Sequence, residues 1–174
     1  MNIANTVIKP ESETVELRGK IVLHSDDELT ITAAPQQILQ SALAAFNQGR
    51  FSEVVKHFDR DGCFKFSDHA LAIDFMEKAR VTEFFEKSRE LFPDTTLEVI
   101  SFFEDGEHAI AEWKLTATQT AQYGSISYRF PISLPGTTVV HVEKGKIVRW
   151  SDYYDQSTSQ RMSLGAFFTD WIEY

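Results

Sequence analysis

Residues 136–155, GTTVVHVEKGKIVRWSDYYD, constrain the fold more than any other part of the chain. They read as two β-strands joined by a tight turn. Val139, Val140 and Val142 form the first arm, Glu143-Lys144-Gly145 the turn, and residues 147–154 the second arm. Two registers are open. A two-residue Lys144-Gly145 loop sets His141 opposite Val148 and Val140 opposite Arg149. A three-residue loop ending in a left-handed Gly145 sets Val140 opposite Val148 and Thr138 opposite Trp150, which pairs apolar with apolar and is preferred. Val140, Val142, Val148, Trp150, Asp152 and Tyr154 then share one face, and His141, Ile147, Arg149, Ser151 and Tyr153 the other. A carboxylate between Trp150 and Tyr154 on an apolar face is the most chemically suggestive feature of the sequence.

At 174 residues, with 43% hydrophobic residues and 14 Phe, the chain can bury a substantial core as one main domain. Its net charge of −9 argues against nucleic acid or an anionic membrane as partner. The single cysteine, Cys63, fits a reducing cytosol, and neither a signal-peptide core nor a bilayer-length apolar run is visible. A cytoplasmic protein is the expectation.

Three parts are expected. Residues 1–33 form an N-terminal β extension, with short strands at 14–17, 20–24 and 29–32. Residues 34–155 form the main α+β domain. Pro35 opens a helix carrying Ile38, Leu39, Ala42, Leu43 and Phe46 at helical spacing. Ser52 looks like the N-cap of a short helix with Val54, Val55 and Phe58. A strand over 63–68 follows, then a helix over 82–92 whose buried side is marked by Phe84, Phe85, Ser88, Leu91 and Phe92. A second hairpin, 96–118, turns at Glu104-Asp105-Gly106 and pairs Leu97 with Trp113, Val99 with Ala111 and Ile100 with Ile110. Another strand holds Ile126, Tyr128, Phe130 and Ile132 and ends at Pro135-Gly136. Residues 156–174 close the chain as an amphipathic segment with Phe167, Phe168, Trp171 and Ile172 on one side of a short helix. That segment is expected to dock over the open end of the main domain or on a partner subunit. Helices followed by a run of antiparallel strands predict helices packed on one face of a curved sheet.

Five pieces in this order, AAFNQGRFSEVVKHF, DRDGCFKFSD, TEFFEKSRELFPD, EDGEHAIAEWKLTAT and VEKGKIVRWSDYYD, resemble the SnoaL-like group of the nuclear transport factor 2-like superfamily. The resemblance implies a cone-shaped curved antiparallel sheet on about three N-terminal helices, an enclosed apolar pocket, and dimers through the outer sheet face. Relatives include polyketide cyclases, limonene-epoxide hydrolases, ketosteroid isomerases and non-catalytic binders, so fold alone does not give function. Where the epoxide hydrolases carry Arg-x-Asp, this chain has Trp113 and Leu115. The oxyanion Tyr of the isomerases has no counterpart on the first helix, and their base falls near Ser67 or Asp68. The acidic residue that cyclases and hydrolases share on the last strand is matched by Asp152.

Asp152 is therefore the leading catalytic candidate: burial among aromatic rings would raise its pKa towards neutrality, suiting it to general acid/base work. The competing account is a strand-end Asp bonded to the backbone or to an Arg. Asp68 and His69 form a second catalytic candidate pair, against an exposed loop pair with no role. Trp113, Trp150, Tyr154, Tyr128, Leu115 and Phe66 are the candidate ligand-binding residues, a set that ordinary core packing would equally explain. No metal-ligand spacing, phosphate loop or dinucleotide fingerprint is present, so neither metal nor cofactor is expected. The leading expectation is a cofactor-independent isomerase, cyclase or dehydratase acting on a hydrophobic small molecule, as a homodimer. The rival is a non-catalytic ligand-binding or interaction domain of the same fold.

Overall fold

The computed structural model describes residues 19–21, 31–123, 126–155 and 157; side chains of 19–21, 31–32, 120–123, 126 and 128 are not described. The docking expected of the C-terminal segment, and the strand expected at 14–17, lie outside these residues. Of the N-terminal extension, β1 (Gly19–Ile21) and β2 (Ile31–Ala33) pair antiparallel as a separate two-stranded sheet.

The main domain begins with α1 (Pro35–Asn47), where Pro35 stands at the start and the Gln37 side chain accepts from the Ala34 N–H at 3.2 Å. Ile38, Leu39, Ala42 and Leu43 are buried, as their spacing predicts. The Asn47 side chain then bonds both backbone groups of Leu97, donating at 2.7 Å and accepting at 2.9 Å, which fixes the end of the helix to the sheet. A short helix, α2 (Phe51–Val54), and a 3-10 turn (Val55–His57) follow. Arg50, not Ser52, is the N-cap of α2, so Ser52 lies inside its first turn. Next come β3 (Lys65–Asp68), β4 (Ile73–Phe75) and α3 (Lys78–Leu91). Strand β4 is absent from the sequence expectation; at 3 residues it is too short to show alternation. Leu91, expected on the buried side of α3, is 71% exposed, while Val81 and Phe85 carry the contact.

The sheet is completed by β5 (Thr96–Asp105), β6 (His108–Tyr123), β7 (Ile126–Glu143) and β8 (Lys146–Tyr154). Its order is β4-β3-β8-β7-β6-β5, one six-stranded sheet containing both hairpins. It is mixed rather than wholly antiparallel, because β3 runs parallel to β8. The expected break at Pro135-Gly136 does not occur; β7 passes through it as one strand of 18 residues. Both Pro131 and Pro135 lie in the half of β7 that β8 does not reach, where among the described residues that edge has no ladder to miss their N–H groups.

Both hairpins differ from the preferred register. The β7–β8 turn is the two-residue Lys144-Gly145 loop, with φ positive at both residues, and Glu143 faces Lys146. A bulge at Val148 then brings Val140 opposite Trp150 and Thr138 opposite Asp152. The same bulge turns Ile147 inward, fully buried opposite Val142, rather than onto the outer face. Strands β5 and β6 turn at Gly106-Glu107, pairing Leu97 with Leu115 and Val99 with Trp113, with a bulge at Ile100 that sends Phe102 inward against the core. Two bulges in adjacent hairpins bend the sheet, and the helices fill its concave side. Among the described residues, no helix is long and apolar enough to cross a membrane.

Candidate active site in the cone

The strand registers assemble one row across the concave face: Phe102, Ala111, Thr138, Asp152 and Asp68 are successive cross-strand neighbours. A second row holds Val99, Trp113, Gly136 and Tyr154. Gly136 is needed there because a Cβ would sit 2.2 Å from Trp113 Cη2, so the indole lies directly on its backbone. Thr138, Asp152, Asp68, Trp113 and Tyr154 of these rows and the inner sides of α1 and α3 line an apolar cavity of about 230 Å³.

Asp152 is partly accessible, and what it faces is this cavity. The Thr138 hydroxyl donates to its Oδ1 at 2.6 Å, and the Trp113 indole N–H donates to Thr138 Oγ1 at 2.9 Å. Loss of solvation pushes the carboxyl up to about 7, against the opposing effects of Thr138 and of the nearby Trp150 N–H, with the charge of Asp68 adding to the rise. The Trp150 N–H is wholly buried and makes no hydrogen bond of ordinary geometry with the described residues.

Asp68 is 4% exposed. Its Oδ1 accepts from the Leu71 N–H at 3.0 Å, closing the β3–β4 loop, and its Oδ2 accepts from the Tyr154 hydroxyl at 3.0 Å. Burial raises its pKa, and those two bonds pull the other way. Burial and the neighbouring carboxylates hold the Tyr154 hydroxyl protonated, well above the ordinary phenol range. The two carboxyls thus differ in kind. Asp68 has both oxygens engaged by donors, whereas among the described residues Asp152 has a hydrogen bond of ordinary geometry only at Oδ1, with the Trp150 N–H near it.

The structure brings Asp152, Asp68, Trp113, Trp150, Tyr154 and Leu115 together around the cavity. It does not bring His69 there: the ring is exposed on the other side of the sheet, stacked on Tyr153 with centroids 4.4 Å apart. Phe66 is fully buried but packs against Phe84, Phe85 and Trp150 behind the cavity wall. The Tyr128 side chain lies outside the described residues. Thr138 and Arg89 are cavity-lining residues that the sequence reasoning missed. Arg89 had a signal, since it follows Phe85 by one helical turn and so shares its side of α3. Thr138 had one too, since alternation puts it on the face of Val140 and Val142, but its place opposite Asp152 needs the correct β7–β8 register.

A family model described as a SnoaL-like domain matches residues 39–150, ending just short of Asp152. No match is found among curated proteins. Among solved structures, a Shewanella denitrificans protein designated a SnoaL-like polyketide cyclase superposes with TM-score 0.65 at 16% identity, covering 75% of this chain and 97% of that one. IdmH from Streptomyces antibioticus, also designated a polyketide cyclase, gives TM-score 0.63 at 17% identity over 75% and 98% of the two chains. A Catenulispora acidiphila protein with a ketosteroid isomerase-like fold, solved with trimethylamine, gives 0.60 at 16% identity over 75% and 94%. At these identities the likeness is one of fold.

Proposed function

Since the chain belongs to the SnoaL-like family, we propose that it is a cofactor-independent enzyme using Asp152 as general acid/base on a hydrophobic small molecule held in the cone. The observation that carries this reading is a carboxyl poised at about 7, facing an apolar cavity, with Oδ1 fixed by the Thr138 hydroxyl. Near neutral pH such a group exists in both forms, which is what proton transfer in each direction requires. As the anion, Oδ2 can take a proton from carbon next to a carbonyl. As the acid, it can return that proton to carbon or to a departing oxygen. Isomerisation, ring closure and dehydration all use this pair of steps, and the family's cyclase and isomerase members fit them. Asp68, kept in its own hydrogen bonds, contributes its charge to Asp152 and leaves the transfer to it.

The same reading includes a homodimer through the convex face of the sheet. There Phe103, Ile110 and Val139 follow one another across three strands, and Ile100 and Phe103 are 58% and 59% exposed.

The test is solvent-deuterium exchange at the α-carbon of a panel of hydrophobic ketones, followed by proton NMR. The wild type should catalyse exchange with a rate that rises with pH through about 7, and Asp152→Asn should abolish it. An Asp152 that titrates in the ordinary carboxylate range, or no exchange with any ketone despite binding, would favour a non-catalytic binding domain.

A further inference from the structure

Across the cavity from Asp152, the helical wall presents a cation. Arg89 lies in the last turn of α3 and lines the same cavity. Its guanidinium carbon sits 5.7 Å from the Phe46 ring centroid and 5.8 Å from that of Phe51. One N–H, on Nη2, donates to the Phe46 carbonyl at 3.1 Å. These contacts hold the planar group in one orientation. None of the ion pairs among the described residues includes Arg89. A partly buried guanidinium is normally matched by a carboxylate, because desolvating an unpaired charge is costly. Among the described residues its one hydrogen bond is to that carbonyl, which leaves most of its five donors available on the edge of an apolar space.

The sheet wall does not supply that carboxylate. Asp68 is engaged by Tyr154 and the Leu71 N–H, Asp152 bonds Thr138, and neither is ion-paired with Arg89. Between the two walls the lining is mainly hydrocarbon and aromatic, with Phe84, Trp113, Leu115, Ile132 and Leu134, and the hydroxyls of Ser88 and Thr95 donate to backbone carbonyls. The cavity therefore has an acidic sheet wall, an apolar middle and a cationic helical wall.

We propose that the cavity takes an amphipathic carboxylate, whose acid group pairs with the guanidinium of Arg89 while its apolar body lies against Trp113, Leu115 and Leu134. Arg rather than Lys suits this role, because its fork matches the two oxygens of a carboxylate. The arrangement also sets the direction of the ligand. A carboxylate is repelled from the Asp68 side and held at the helical wall, so the far end of the molecule is the part that reaches Asp152. The proposal rests on the cavity being the ligand site of the proposed enzyme, and not on Asp152 acting as its proton carrier.

The experiment compares naphthalene-2-carboxylate with 2-naphthamide, a neutral probe of nearly the same shape. Binding to the full chain is measured by calorimetry at pH 6, with the Trp113 and Trp150 indole N–H resonances reporting occupancy of the cavity. The wild type should bind the acid at least about tenfold more tightly than the amide, a preference that shrinks as salt is added. Arg89→Gln should bring the acid down to the amide's affinity and leave the amide's unchanged. Arg89→Lys should keep part of the preference, which guards against a loss caused by misfolding alone. Equal affinities in the wild type, or an Arg89→Gln loss that falls equally on both probes, would overturn the proposal while leaving the cavity as a ligand site. Failure of both probes to bind or to shift the indole resonances would overturn the proposal together with that premise.

Discussion

Thr138 and Asp152 face each other across the β7–β8 ladder, and the direction of the hydrogen bond between them is fixed by a third residue. An indole N–H can only donate, so Trp113 obliges Thr138 Oγ1 to accept and leaves the hydroxyl hydrogen for Asp152 Oδ1. That oxygen is an acceptor whether the carboxyl is ionised or not. The titrating proton is therefore carried on Oδ2.

Thr138→Val keeps the shape and removes the donor. The bond it deletes favours the anion, so the Asp152 midpoint should rise above about 7. The Trp113 N–H would also be left buried without its acceptor, at a cost of about 1–3 kcal/mol in stability. Carbon-detected NMR titration of the Asp152 carboxyl checks the first effect and urea denaturation the second. A midpoint that falls or stays where it was would refute the assignment of the hydrogen.

Asp68→Asn should move the same midpoint the other way. The Asp68 charge raises the Asp152 pKa, so a neutral amide at 68 should lower it, and the two substitutions bracket the wild type. Tyr154→Phe acts on Asp68 itself by removing a bond to its anion, and should raise the Asp68 pKa. Titrating Asp152 in all three variants, and Asp68 in the two that retain it, would show whether the signs hold.

These relationships were only partly legible in the sequence. The concave faces of β6, β7 and the outer half of β8 follow from alternation, and a register error of two residues leaves alternation intact. That is why Trp113, Leu115, Trp150, Asp152 and Tyr154 were found together despite wrong pairings in both hairpins. Partners are more demanding than faces. Placing Thr138 opposite Asp152 needs the two-residue turn with Lys144 at positive φ, and also the Val148 bulge. A bulge is a local compromise between strand twist and packing, and Val148 itself carries no mark of it. His69 shows the complementary failure: its N–H continues the ladder to the Asp152 carbonyl, so alternation sends its ring to the face opposite Asp68, where it meets Tyr153.

Gly136→Ala tests the close approach on which the Trp113 position depends. The added carbon would sit 2.2 Å from an indole that is 3% exposed and tethered through its N–H to Thr138. Overpacking of this kind costs about 1–3 kcal/mol. Urea midpoints should fall, and the near-ultraviolet dichroism of the tryptophans should change. Unaltered stability would mean that the ring moves aside freely, and that the tether to Thr138 does not hold it.

Asp152→Asn separates the stability of the site from its chemistry. In the folded chain the carboxyl titrates at about 7, against an ordinary value of 3.8, so the unfolded chain loses this proton at lower pH than the folded one. Below the unfolded value both states hold the proton and Asp152 carries no penalty. Between the two values the unfolded state ionises first, and stability falls as pH rises. Above about 7 the full penalty is present, roughly 1–4 kcal/mol after allowing for the polar contacts that soften it. Asparagine cannot ionise, yet its carbonyl can still accept from Thr138. The variant should thus match the wild type near pH 4 and exceed it at pH 8, by an increment that grows across the interval, while ketone exchange is lost at every pH. Thermal melts at closely spaced pH values would trace the increment directly. A variant destabilised at pH 8 would show that the ionised carboxyl holds the fold together, which is incompatible with a group poised to take and return a proton.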